Sequence, residues 1–147
     1  MAQSGRIRPF ATDDVDQVVK LFDLAYLSGA GETSNERSAL FRRVFFETPD
    51  RSEGALTSLV WEDSAGHVFG FCGAHPRRFV QDGNVILAAA PGQLMVAPEL
   101  RGRGIGVALV RAFFAGRQSF TFSGSAGDAT RAITGAIGAV NPALRGI

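Results

Sequence analysis

The sequence predicts an α/β fold, and three observations carry that prediction. The apolar run Leu94-Met95-Val96 reads as a buried strand and ends at Pro98, which cannot donate to a ladder. The spacing then turns helical, with Ile105, Ala108, Leu109, Ala112 and Phe113 on one face. Strand-like and helix-like stretches succeed one another along the rest of the chain, and Gln81-Asp82-Gly83-Asn84 carries a hairpin signal.

The totals narrow the class. A length of 147 residues suits one domain, residues 1–147, and 46% hydrophobic content is ordinary for a packed core. A net charge of +1 gives no case for nucleic acid. The N-terminus, Met1 to Phe10, has no apolar segment of the signal-peptide kind. No run reaches the ~18 apolar residues of a membrane helix. A soluble cytoplasmic protein with no membrane partner is therefore the expectation. The single cysteine, Cys72, can form no disulfide within the chain and reads as a buried thiol rather than a nucleophile. His67 and His75 stand alone, eight apart, in no metal-ligand spacing and with no cysteine partner, so no metal is expected.

Arg6 to Phe10 alternates as a first strand. Thr12 or Asp13 can cap the next helix, which buries Val15, Val18, Val19 and Phe22, with Tyr26 at the end of that side. Ser28 to Gly31 ends it, and a second helix follows from about Ser34 to Phe46. Strands are predicted over Ala55–Trp61, His67–His75 and Val85–Val96, with a turn at Ser64-Ala65-Gly66 between the first two. Pro91-Gly92 interrupts the third, either as a break or bulge or as the end of one strand and the start of another. The helix begun at Ile105 ends at Gly116. Gln118 to Phe122 alternates as a strand, Gly124 to Gly127 is a loop, and Asp128 can cap a last helix that runs through Ile137 and closes at Gly138.

Between the third strand and its helix lies Val96-Ala97-Pro98-Glu99-Leu100-Arg101-Gly102-Arg103-Gly104-Ile105-Gly106. Glycines let a backbone approach a ligand closely, and a helix start offers unpaired N–H groups and partial positive charge to a phosphate. Gly106-Val107 lacks the Lys and hydroxyl of a Walker loop, and Val107 stands where a dinucleotide fingerprint needs its third glycine. Arg101, Arg103, Gly104 and Gly106 instead fit Arg-x-x-Gly-x-Gly after a Val-x-Pro strand end. That stretch resembles the acyl-CoA-binding motif of the GNAT superfamily of N-acetyltransferases, and the order of strands and helices resembles it over nearly the whole chain.

The resemblance implies a mixed, mostly antiparallel sheet with helices on both faces. It implies acetyl-CoA, or another acyl-CoA, as co-substrate and a small-molecule or peptide amine as acceptor. The amine would attack the thioester directly in a ternary complex. Arg101, Gly102, Arg103, Gly104, Ile105 and Gly106 would hold the pyrophosphate. Leu94, Met95 and Val96, on a strand splayed from its neighbour at Pro91-Gly92, would meet the pantetheine arm and the thioester carbonyl. Gly29 to Thr33 would either shape the acceptor site or simply connect two helices.

Two features depart from the pattern. The Tyr that donates a proton to the thiolate in many relatives falls on Thr134, the accompanying Asn falls on Gly127, and the chain's one tyrosine is Tyr26. Gln93 stands on the strand where a carboxylate base often sits, which leaves His75 as the base candidate and Glu99 as a surface charge. These losses keep open a non-catalytic acyl-CoA-binding or structural domain of a larger protein. The second departure is length. Nine residues follow Gly138, enough for one short strand, so the last hairpin is expected to be truncated or missing. A fragment of a longer chain, a homodimer or a second domain would then complete the sheet.

Overall fold

The structure is a computed structural model that describes residues 4–26, 34–47 and 57–122. Gly29–Thr33, Gly127, Thr134, the last predicted helix and Ala139–Ile147 lie outside the described residues. The elements run β1 (Gly5–Pro9), α1 (Val15–Tyr26), α2 (Ser34–Phe46), β2 (Leu59–Asp63), β3 (Val68–Gln81), β4 (Asn84–Val96), α3 (Ile105–Phe114) and β5 (Phe120–Thr121). They form one sheet in the order β1-β2-β3-β4-β5, antiparallel except for the β4–β5 pair. No helix among the described residues is long and apolar enough to cross a membrane.

The pleat sorts the side chains into two cores. On one face Phe71, Met95 and Val60 pack with Val15, Val18, Val19 and Phe41 of α1 and α2. On the other, Trp61, Cys72 and Ala89 pack with Ile105, Leu109 and Phe113 of α3. Helices thus cover both faces, as the resemblance implied. Gly70 is where α3 comes closest: a Cβ there would meet Ile105 and Leu109 side chains at 3.0 Å.

Several boundaries differ from the sequence reading. Neither Thr12 nor Asp13 caps α1. A 3₁₀ turn, Thr12–Asp14, leads into the helix, and Asp14 fixes its start by accepting the Ala11 N–H at 2.9 Å while paired to Arg8 at 2.6 Å. Tyr26 is 56% exposed, because the helix end turns it away from the core that holds Phe22's neighbours. The strand predicted over Ala55–Trp61 is Leu59–Asp63, and the strand predicted to end at His75 continues to Gln81. It can do so because the hairpin turn fixes the register. Asp82 (φ 52°) and Gly83 (φ 79°) form a two-residue turn of the kind that matches strand twist. Gln81 and Asn84 then form the first bonded pair, and alternation leaves Pro76 and Pro91 at positions whose nitrogens point away from the β3–β4 ladder.

Pro91-Gly92 does not end a strand. β4 continues through it, with a bulge in which Gly92 and Gln93 oppose Gly73 alone. On its far side β4 pairs with β5 at Ala88↔Phe120 and Ala89↔Thr121, and the Phe122 N–H reaches the Ala89 carbonyl at 3.0 Å. The next step of that parallel ladder would need an N–H from residue 91 to meet the Phe122 carbonyl. Proline has none, and the bulge follows at once. The described pairing of β4 with β5 stops there.

Candidate active site

Beyond the bulge, β3–β4 pairing resumes at Cys72↔Leu94, Phe71↔Met95 and Gly70↔Val96. The Ala97 N–H donates to the Phe69 carbonyl at 2.8 Å, which makes Phe69/Ala97 and therefore Phe71/Met95 the bonded pairs. Met95 is thus committed to β3 through its backbone and to the α1–α2 core through its side chain, 2% exposed. The backbone groups of Leu94 and Val96 face the other way, toward the side on which the described β4–β5 pairing has stopped.

β4 leads into a 3₁₀ turn at Pro98–Leu100 and then into the glycine loop. Leu100 and Ile105 are buried on the α3 side and anchor the loop at both ends. Between them Arg101, Gly102, Arg103 and Gly104 are exposed. Gly104, at the N-cap, has φ 83°, a conformation that side chains rarely adopt. No side chain caps the helix. Its first internal bond runs from the Ala108 N–H to the Gly104 carbonyl at 3.0 Å, so the N–H groups of Ile105, Gly106 and Val107 have no partner within α3. Arg101 folds back to donate its Nε–H to the Val96 carbonyl at 3.2 Å, and among the described residues its two terminal nitrogens have no hydrogen-bond partner. Arg103 makes no ion pair among the described residues.

Gly106 differs from Gly104. It lies inside the first turn of α3 without a positive φ, and among the described residues a Cβ there would meet Val96 Cγ2 alone, at an ordinary 3.7 Å. The fold has no need of a glycine here, and glycine costs a helix about 1 kcal/mol relative to alanine. The same contact shows that the end of β4 and the start of α3 touch, so Leu94, Val96 and the loop line one continuous surface.

His75 lies beside the bulge, on the face of the sheet that α2 covers. Its ring stacks on Phe45 of α2, centroids 5.2 Å apart and 26° between planes. It also covers the bulge: a Cβ on Gly92 would lie 2.6 Å from His75 Nε2. Burial, with the nearby Arg77 charge, holds its pKa below the ordinary 6.5. The imidazole is therefore neutral near pH 7 and can accept a proton. Gln93 and Glu99 are both exposed.

The other titratable residues have structural explanations. Cys72 is buried and its thiol is pushed up to about 12, which removes it as a nucleophile. His67 is exposed and pairs with Asp63 at 3.3 Å. Among the described residues no group of three or more His, Cys, Asp or Glu side chains could hold a metal ion. The sequence reading missed Phe45 and Gly92 as the seat of His75. Pro91-Gly92 stood out as a strand interruption, but spacing alone could not show whose ring occupies the gap.

A family model described as an acetyltransferase (GNAT) domain matches residues 6–119. Solved structures share the fold at low identity. A Trypanosoma brucei acetyltransferase is 12% identical, with TM-score 0.67 over 95% of this chain and 94% of that one. A glucosamine-6-phosphate N-acetyltransferase from Arabidopsis thaliana is 16% identical, with TM-score 0.69 over 99% and 97%. An aminoglycoside N-acetyltransferase in complex with CoA is 16% identical, with TM-score 0.59 over 93% and 86%. No curated protein matches the sequence.

Proposed function

Because the chain belongs to the acetyltransferase (GNAT) domain family, we propose that it transfers an acetyl group from acetyl-CoA to an amine within a ternary complex. The observation that carries this reading is Gly106, a glycine that the fold does not require at a helix start with unpaired N–H groups. Close approach of a ligand explains it.

In this reading the N–H groups of Gly104, Ile105 and Gly106 receive the pyrophosphate, with Gly102 keeping the loop open and Arg101 and Arg103 supplying counter-charge. Leu94 and Val96 offer strand N–H groups to the pantetheine amides and the thioester carbonyl, which they polarise as an oxyanion site does. Met95 contributes by packing, since its own N–H is engaged with Phe71. The co-substrate supplies the activated acetyl group. His75 accepts the proton that the amine loses as its nitrogen bonds to the acetyl carbon. Thr134 is the candidate proton source for the departing thiolate.

Release of free CoA thiol, followed with purified protein, acetyl-CoA and a panel of amines, tests the assignment. Amine-dependent release above the hydrolysis background is expected. Background release alone with every amine would contradict it.

A further inference from the structure

Past His75, β3 continues as Pro76-Arg77-Arg78, and the pleat returns Arg77 to the face that carries His75. By strand rise their α-carbons lie about 7 Å apart. Arg77 is exposed, and among the described residues its side chain donates from Nη1 to the carbonyl of Pro76 at 2.9 Å. It makes no ion pair among the described residues, whereas Arg6, Arg8, Arg37 and Arg42 are all paired to carboxylates. β3 and β4 contain no Asp or Glu, and Asp82 sits apart in the hairpin turn. A cation with no carboxylate partner among the described residues therefore stands beside the histidine that would take the acceptor's proton.

We propose that the acceptor is an anionic amine, whose carboxylate or phosphate Arg77 binds while its nitrogen faces His75. This rests on the acetyl-transfer reading above. The free amine's lone pair forms the amide bond to the acetyl carbon. The carbon–sulfur bond breaks with its electron pair leaving on sulfur. One amine proton passes to His75, and the thiolate is protonated in turn.

Matched acceptors test the inference. Values of kcat/KM are measured for glucosamine 6-phosphate against glucosamine, and for β-alanine against its amide. At least tenfold preference for the charged member is expected on one arm, the effect of one charge-assisted hydrogen bond, and the arm identifies the anion. Arg77→Gln should bring that ratio towards one, and Arg77→Lys should keep part of it. Arg78→Gln, on the opposite face, should leave the ratio as it is. Equal rates on both arms in the wild type, or a preference that survives Arg77→Gln, would overturn the inference and leave acetyl transfer standing. No transfer to any of the four amines or to the wider panel would overturn both.

Discussion

The His75 ring is positioned by residues without polar side chains, Phe45 below it and Gly92 beside it. Gly92→Ala should push the ring from its stack and lower kcat/KM, with CoA affinity as the control measured alongside. His75→Gln should cost about 10²–10⁴-fold in kcat/KM, the range typical of losing a general base. The pH profile adds a sign. Burial and Arg77 both disfavour the imidazolium, and β4 contributes no charged group to oppose them. The acid limb of kcat/KM should therefore lie below pH 6.5 and move up towards it in Arg77→Gln. Tyr26 is more than half exposed at the end of α1, so Tyr26→Phe should leave most of the turnover. A basic limb that vanishes in that variant would show a phenol acting as the acid. His75 was legible as a candidate because few titratable side chains stand near the motif. Its seat was not, because residues 45, 75 and 92 come together from three elements.

At the scale of elements, Pro91 and the bulge after it act as one device. Proline withholds the N–H that β5 would use next, and the bulge turns β4 away. Pro91→Ala supplies that donor, and the β4–β5 ladder can then extend past Thr121. The expected result is a slowly exchanging amide at residue 91, where the wild type has none, and weaker CoA binding, as the space beside Leu94 and Val96 narrows. Unchanged CoA affinity would show that this space does not depend on the missing donor. The sequence displayed Pro91-Gly92 as an interruption but left its form open. Only the register, fixed by Asp82-Gly83 at the far end of the hairpin, shows that the proline nitrogen faces β5. The same register explains why β3 passes Pro76, where reading by residue type suggested that the strand stops.

For the whole molecule, the sheet edge is tied to the helical layer by charge. Arg8 donates to Asp14 at 2.6 Å and to Glu62 at 2.7 Å, and Arg6 donates to Glu62 at 2.7 Å. The Arg8 guanidinium holds the Asp14 carboxyl below its usual range, with the Ala11 N–H adding to the effect. A carboxyl depressed in the folded state stabilises the fold above its unfolded value of about 4 and loses that contribution as pH falls through the folded value. Thermal stability should accordingly drop below about pH 4. Arg8→Met should destabilise by roughly 1–3 kcal/mol at neutral pH, the cost of taking the charged donor from the buried Asp14 carboxylate; a melt as stable as the wild type would contradict this. The order of elements and the glycine turn were legible from periodicity and turn chemistry. This network was not, since Glu62 lies more than fifty residues from Arg6 and Arg8.

Calorimetric titration with CoA decides whether the start of α3 is a CoA site. Wild-type protein should bind. Gly106→Val, whose Cβ has room within the fold, should retain cooperative unfolding and lose at least tenfold in affinity, about 1.4 kcal/mol. No heat with the wild type at millimolar CoA, or equal affinity in the folded variant, would contradict the account.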